Sequence, residues 1–374
     1  MDNVTLKCYK CGREYSGSEI IWKCDCGGIL DVWMDYKFRK STIKRSKNNL
    51  WRYRRSIPVS SDENIVSFSE GFTPMIGIEI GGKEILFKQD YLFPTGSFKD
   101  RGSTVLVSKI KELGIDRVVE DSSGNAGSSI AAYSSRAGIN CEIYVPDYTP
   151  GEKLTQIISS GAELKRIEGT REDTQNAAVK RAEDIYYASH HWNPFFLQAT
   201  RTYAFEAAEQ LGWKSPDAVV LPVGSGSLIL GAYRGFREMH ESGVIRKVPE
   251  LIGVQAENCA PLVKAFRGGL DYVPSIIPED TIAEGIAISN PARGEQILDS
   301  IIETGGIFIS VTEEEIRESL EWIVRRGFYI EVTSAATIAG VKKFLREYDA
   351  GGTIVSTLTS HGLKNSSKIR DLLS

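Results

Sequence analysis

Cys8, Cys11, Cys24 and Cys26 stand close together near the start of the chain, and thiolates clustered in this way can hold a metal ion. Cys8-Tyr9-Lys10-Cys11 has the two-residue gap of a zinc knuckle, and Cys24-Asp25-Cys26 is one residue tighter. Four sulfur ligands leave no open coordination position, so a zinc ion here is structural. A short segment with so small a core needs a staple, which favours the metal. Four reduced thiols in a small β-hairpin is the alternative. Cys141 and Cys259 lie in apolar runs and read as core residues.

Three further turns carry groups able to do chemistry. The first is Pro94-Thr95-Gly96-Ser97-Phe98-Lys99-Asp100-Arg101-Gly102, with a lysine between an aromatic residue and an acid at a helix start. Alone it reads as a surface lysine. The second, Asp121-Ser122-Ser123-Gly124-Asn125-Ala126-Gly127-Ser128-Ser129, opens a helix of small residues from Ile130 to Ala137, closed by Gly138. Successive backbone N–H groups at a helix N-terminus form an anion site, and glycine lets the ligand come close. The third, Gly224-Ser225-Gly226-Ser227-Leu228, is again fit for a phosphate, although a G-x-G alone is no more than a tight turn.

Strands must precede these turns, and the sequence supplies them. Short β-rich runs occur at Val118–Val119, Cys141–Val145, Leu164–Ile167, Ala218–Val223, Leu251–Gln255, Ile307–Val311 and Thr353–Leu358. Helical patterns lie between most of them, including Thr312 to Arg326, opened by a capping box in which Thr312 faces Glu315. Such alternation implies parallel sheets covered on both faces, an α/β fold whose ligands sit at strand C-termini.

The length of 374 residues suits about two or three domains. Hydrophobic residues at 41% and charged residues at 25%, with a net charge of −4, are those of an ordinary globular protein. They give no sign of a nucleic-acid or membrane partner. Lys37 to Arg55 is basic, with Trp51 and Tyr53 among Arg52, Arg54 and Arg55, and reads as an amphipathic arm packed on the body. The polar opening MDNVTLKCYK and the lack of a long apolar run lead us to expect a cytoplasmic protein.

Taken together, these segments resemble the β-family (fold type II) of pyridoxal-phosphate enzymes, and within it the threonine synthase family. The resemblance runs almost the whole length. It takes in Cys26-Gly27-Gly28, Trp51-Arg52-Tyr53, Glu70-Gly71-Phe72-Thr73-Pro74, Ser97-Phe98-Lys99-Asp100-Arg101-Gly102, Ser123-Gly124-Asn125 and Leu358-Thr359-Ser360-His361-Gly362-Leu363-Lys364. It implies a tryptophan synthase β-like architecture of two α/β domains with mainly parallel sheets, plus a zinc-ribbon-like segment. We expect the ribbon at residues 1–35, a large cofactor domain at 36–105 and 206–374, and a small domain at 106–205. A homodimer acting on a small amino-acid substrate is also implied.

By the same resemblance Lys99 carries pyridoxal 5'-phosphate and moves protons between carbon atoms. Asn125 hydrogen-bonds the cofactor's phenolate oxygen, and Gly224, Ser225, Gly226, Ser227 and Leu228 hold its phosphate. Ser122, Ser123, Gly124, Ala126 and Gly127 clamp the substrate carboxylate. Thr359 matches the residue facing the pyridine nitrogen. A hydroxyl there stabilises a ring cation less than an aspartate does, which favours elimination and replacement over transamination. His361 reads as part of the turn.

The implied reaction is O-phospho-L-homoserine plus water to L-threonine plus phosphate. The substrate side departs from the family pattern. Asn193-Pro194 is followed by Phe195-Phe196 where an arginine for the substrate phosphate is usual, and Ala126 stands where threonine is common. Lys153, ahead of Arg201 and Arg293, is the expected replacement cation. A relative acting on O-phosphoserine by β-replacement, or deaminating serine or threonine, is the alternative.

Overall fold

The computed structural model describes residues 4–348 and 351–374, grouped in two units. One takes the chain up to Gly71 together with Phe93–Thr200, and the other takes Phe72–Leu92 together with Arg201–Ser374.

The first unit is built on a four-stranded sheet in the order Glu163–Ile167, Asn140–Pro146, Arg117–Glu120, Tyr186–Tyr187, every pair parallel. Val118, Val119, Ile143 and Val145 are buried, as a sheet covered on both faces demands. The helices Asn125–Ala137, Gly151–Ser159 and Arg171–Arg181 make the crossovers. The chain steps outward from Arg117–Glu120 and then returns to pair on its other side. The C-terminal ends of Arg117–Glu120 and Tyr186–Tyr187 therefore flank a topological switch point, where open α/β sheets bind ligands. The two-residue strand Tyr186–Tyr187 is too short to show as a pattern in sequence.

A three-stranded antiparallel ribbon in the order Glu14–Ser16, Val4–Cys8, Leu30–Met34 belongs to the same unit. After it, the basic stretch packs as an arm. The 3-10 segment Leu50–Ser56 buries Trp51, whose Nε1 donates to Glu70 Oε1 and Thr104 Oγ1, both at 3.1 Å. Arg52 and Arg54 are buried with it, Arg54 paired to Asp62 at 2.5 Å.

The second unit has a six-stranded sheet in the order Ile307–Val311, Glu250–Ala256, Ala218–Pro222, Ile354–Thr357, Lys83–Lys88, Met75–Ile80. All neighbours are parallel except the last pair, a hairpin turning at Gly81-Gly82. Met75–Ile80 and Lys83–Lys88 are both absent from the expected strands, although Ile76, Ile78 and Ile80 alternate with the period of a half-buried strand. The capping box at Thr312 and Glu315 is present, opening the helix Glu313–Val324.

The domain boundaries differ from those expected. Residues 36–71 and 93–105 group with the smaller sheet rather than with 206–374. The reason is packing: the helix Asp100–Glu112 lies against Pro194–Thr200 and Asn125–Ala137, with Gly102 under the ring of Phe196. Among the described residues no helix is long and apolar enough to cross a membrane.

Candidate active site

Lys99 immediately precedes the helix Asp100–Glu112. Its side chain keeps a partly accessible surface, and its amine lies 4.8 Å from the Phe98 ring centre and 5.9 Å from that of Phe196. Burial pushes the amine down to about 8, with the charge of Glu120 acting in the opposite direction. Asp100 anchors the turn: it accepts from the Thr95 N–H at 2.9 Å, Thr95 Oγ1 at 2.5 Å and Ser129 Oγ at 2.6 Å. Burial pushes its carboxyl up to about 6.

Ser129 ties the lysine turn to the asparagine loop, because it sits one helical turn into Asn125–Ala137. Asn125 begins that helix and is half-buried, Gly124 is exposed, and Ser122 and Ser123 are half-buried. The Ser122 hydroxyl accepts the Gly124 N–H at 3.3 Å. Ala126 is buried, and a Cβ on Gly127 would fall 1.8 Å from the Ser122 carbonyl oxygen, so only glycine lets the loop fold back on its helix.

Lys153 lies half-buried on the helix Gly151–Ser159, which packs on Asn125–Ala137. From the same helix Gln156 Nε2 donates to the Thr95 carbonyl at 3.2 Å. The structure thus brings Lys99, the Ser122–Gly127 loop and the Lys153 helix together in one unit. Phe195 and Phe196 are fully buried. Phe195 packs on Lys109, and Phe196 packs on Gly102 and His190.

In the second unit, Gly224–Leu228 follows the strand Ala218–Pro222, and Thr359 follows the neighbouring parallel strand Ile354–Thr357. Both are therefore at strand C-terminal ends on the same side of the sheet. Gly226 precedes the helix Ser227–Glu241 with φ +81, a conformation that favours glycine. Gly224, Ser227 and Leu228 are buried and Ser225 is half-buried. Thr359 is buried and shares a 2.9 Å hydrogen bond with Ser334 Oγ. His361 belongs to the turn, its Nδ1 accepting the Leu363 N–H at 3.1 Å. Arg201 is ion-paired with Glu238, and the buried Arg293 donates to Gln296 Oε1 at 2.8 Å. These two arginines already have protein partners.

In the ribbon, Cys8, Cys11, Cys24 and Cys26 present sulfurs within 4.8 Å of one another. Cys8–Cys26 and Cys11–Cys24 are 3.6 Å apart and Cys11–Cys26 3.5 Å. Tyr15 Oη lies 3.1 Å from Cys24 Sγ and accepts the Asp25 N–H at 3.2 Å.

Sequence reasoning did not single out Ser334, Ser129, Tyr15, Glu120 or His190. Apart from Tyr15, which meets Cys24 nine residues on, each meets its partner across at least 25 residues, and a lone serine or histidine advertises nothing.

The family model described as "Pyridoxal-phosphate dependent enzyme" matches residues 66–360. Threonine synthase of Methanocaldococcus jannaschii is 39% identical over 375 residues, covering 96% of this chain and 92% of that protein. Threonine synthase of Methanosarcina acetivorans is 37% identical, covering 98% and 94%. Among solved structures, processed threonine deaminase isoform 2 from Solanum lycopersicum superposes with TM-score 0.68 at 20% identity, covering 90% of this chain and 89% of that one. Maize serine racemase gives 0.69 at 17%, covering 80% and 91%. At those identities the structures speak for the fold.

Proposed function

This chain belongs to the pyridoxal-phosphate-dependent enzyme family, and we propose that it is a threonine synthase, converting O-phospho-L-homoserine and water to L-threonine and phosphate. The observation that carries the reading is the near full-length match at 39% identity, covering 96% of this chain.

The residues present fit the cofactor. Lys99 offers an amine pushed down to about 8. The Ser97 and Thr357 hydroxyls are buried without a hydrogen-bond partner at the lysine turn and at a strand C-terminus. A Cβ on Gly224 would come within 3.0 Å of Ile286 Cα, so the turn keeps its backbone bare for close approach. Bound pyridoxal phosphate supplies the electron sink that lets protons leave carbon atoms near the substrate's amino group. Lys99 takes and returns those protons at Nζ. Backbone N–H groups of Gly224–Leu228, with the Ser225 and Ser227 hydroxyls, would hold the cofactor phosphate at the start of the helix Ser227–Glu241. Asn125 would orient the ring through its phenolate oxygen, and the Thr359 hydroxyl would meet the ring nitrogen. Ser122, Ser123, Gly124, Ala126 and Gly127 hold the substrate carboxylate, mostly through main chain.

Zinc belongs to the same reading. A tetrahedral ion with bonds of about 2.3 Å sets its sulfurs about 3.8 Å apart, close to the 3.5–3.6 Å separations between three of the cysteine pairs. Cys8, Cys11, Cys24 and Cys26 would hold it as a structural site. A cytoplasmic homodimer completes the proposal, and sedimentation velocity tests the dimer.

Lys153 is our assignment for the substrate phosphate. Lys153→Ala should raise KM for O-phosphohomoserine about tenfold or more, since a charge-assisted contact contributes about 1.5–3 kcal/mol. The visible absorbance should stay unchanged. The alternative, an enzyme acting on O-phosphoserine or free serine, is favoured by the burial of Phe195 and Phe196 where an arginine is usual. Phosphate and threonine release from O-phosphohomoserine, compared with turnover of O-phosphoserine and serine, decides between them. A pocket built for the longer substrate rejects serine strongly, so comparable turnover of both contradicts the first reading.

A further inference from the structure

At the C-terminal ends of the paired strands Arg117–Glu120 and Tyr186–Tyr187, an acid and an imidazole have no role in the reaction as described above. Glu120 Oε1 lies 2.6 Å from His190 Nδ1. Glu120 is 0% exposed and His190 8%. The second carboxyl oxygen, Glu120 Oε2, is buried with no hydrogen-bond partner. An ionised oxygen left bare in this way is costly, so packing alone gives no reason for a glutamate at this position. The switch point of the sheet, where ligands bind, is also where this acid stands.

Lys99 is close by. Its Nζ lies 5.9 Å from the centre of the Phe196 ring, and that ring meets His190 with centres 6.0 Å apart. The charges of Lys99 and Glu120 act on each other. Other titratable groups facing the pair are Asp121, Arg171, His191, Tyr187 and Cys141. Arg171 Nη2 donates to Asp121 Oδ2 at 2.5 Å and Tyr187 Oη donates to Asp121 Oδ1 at 2.7 Å, so both answer the charge of Asp121. His191 packs on His190, ring centres 3.8 Å apart.

We infer that Glu120 is a positioning residue for Lys99 that works through one mobile proton: Oε1 stays bonded to His190 while Oε2 accepts the proton that the freed Lys99 amine has taken from carbon, leaving that amine neutral, and gives it back to the amine for return to carbon. The proton balance is closed. A carboxyl group and an amine in one state become a carboxylate and an ammonium in the other. His190 stays neutral and donates from Nδ1 in both. Burial and the charge of Asp121 push the Glu120 carboxyl well above the usual range, and burial with His191 pushes His190 well below its own. Both shifts are in the direction the proposal requires. The inference rests on Lys99 being the cofactor lysine, and it deepens that assignment.

Infrared difference spectroscopy on the full-length holoenzyme tests it, with and without an amino acid that displaces Lys99. The amino acid is whichever of L-threonine and L-serine changes the visible band, so an error in the assigned substrate does not disable the test. A protonated-carboxyl band should be present in one state, change in intensity between the two, and be missing in Glu120→Gln. Its absence from both states, or equal intensity in both, overturns the inference. Glu120→Gln should also displace the pH dependence of kcat by about one unit and leave KM near wild type. A variant with lowered stability but an unmoved profile marks a structural glutamate and likewise overturns it. If Glu120→Gln fails to fold, His190→Asn should shift the same band by removing its hydrogen-bond partner, and an unshifted band rejects the pair.

Discussion

Thr359 Oγ1 and Ser334 Oγ lie 2.9 Å apart, both buried in the larger unit. Ser334 Oγ also accepts the Thr359 backbone N–H at 2.9 Å. With that lone pair occupied, the serine's single proton is best directed at Thr359 Oγ1, and Thr359 then has its own proton to donate outward. A hydroxyl in this state suits a neutral ring nitrogen.

Ser334→Ala should therefore loosen the Thr359 hydroxyl, together with the Thr359 and Ser360 backbone N–H groups that Ser334 Oγ accepts. We expect kcat to fall about five- to tenfold, the value of one net hydrogen bond of about 1–1.5 kcal/mol. The visible band of the holoenzyme should shift with it. Wild-type kcat together with an unmoved band would reject the role given to this pair.

Lys99→Ala should remove the visible band and lower turnover by about a thousandfold or more. Borohydride treatment of the wild type should fix the cofactor on Lys99, which peptide mapping reads directly. The pH dependence follows from the sign of the shift. The amine is pushed down to about 8, so below that pH the freed amine is protonated and cannot accept a proton from carbon. Turnover should rise with pH through about 8 and level off above it. A profile that falls across this range contradicts the assignment.

For the ribbon, metal analysis of protein purified without chelator should give about one zinc per chain. Tyr15→Phe removes the hydroxyl 3.1 Å from Cys24 Sγ. It should weaken zinc binding about tenfold in a chelator competition, since outer hydrogen bonds orient the ligands. Stripping the metal should cost less activity than losing Lys99, because four sulfurs leave no position for substrate. Well under one equivalent of zinc in the wild type removes the basis for all three expectations.

A stability test comes from Lys88 and Glu206, both 0% exposed and 2.8 Å apart. Lys88 Nζ also donates to the Thr73 carbonyl at 2.7 Å and to Gln210 Oε1 at 2.9 Å. Glu206→Ala leaves the ammonium without its counter-charge, and breaking such a pair costs about 3–5 kcal/mol. The urea midpoint should drop accordingly, whereas the double variant Lys88→Met/Glu206→Leu should recover much of the loss. Equal destabilisation in both variants would show that packing, not charge, holds the position.

Local chemistry was legible in the sequence wherever it depended on neighbours along the chain. The turns around Lys99, Asn125 and Gly226 could be read as loops opening helices, because glycine and small hydroxyl residues before a helical pattern have few other uses. The cysteine gaps announced the ribbon, and strand–helix alternation announced parallel sheets. His361 caps the turn Gly362–Asn365 through its own side chain, another contact between near neighbours.

What the sequence by itself determined, then, was the α/β class and the glycine- and hydroxyl-rich loops that open helices, since backbone conformation and hydrophobic period are local properties. The tertiary structure alone decided the rest. It placed residues 36–71 and 93–105 with the smaller sheet, because the helix Asp100–Glu112 buries its face on Pro194–Thr200. It turned Phe195 and Phe196 into core residues, and it gave Arg201 and Arg293 partners of their own. It also joined Ser334 to Thr359 and Glu120 to His190. Those partners are 25 and 70 residues apart in the chain. No local rule links residues so distant, and only the packing of the sheets and their helices brings them within a hydrogen bond.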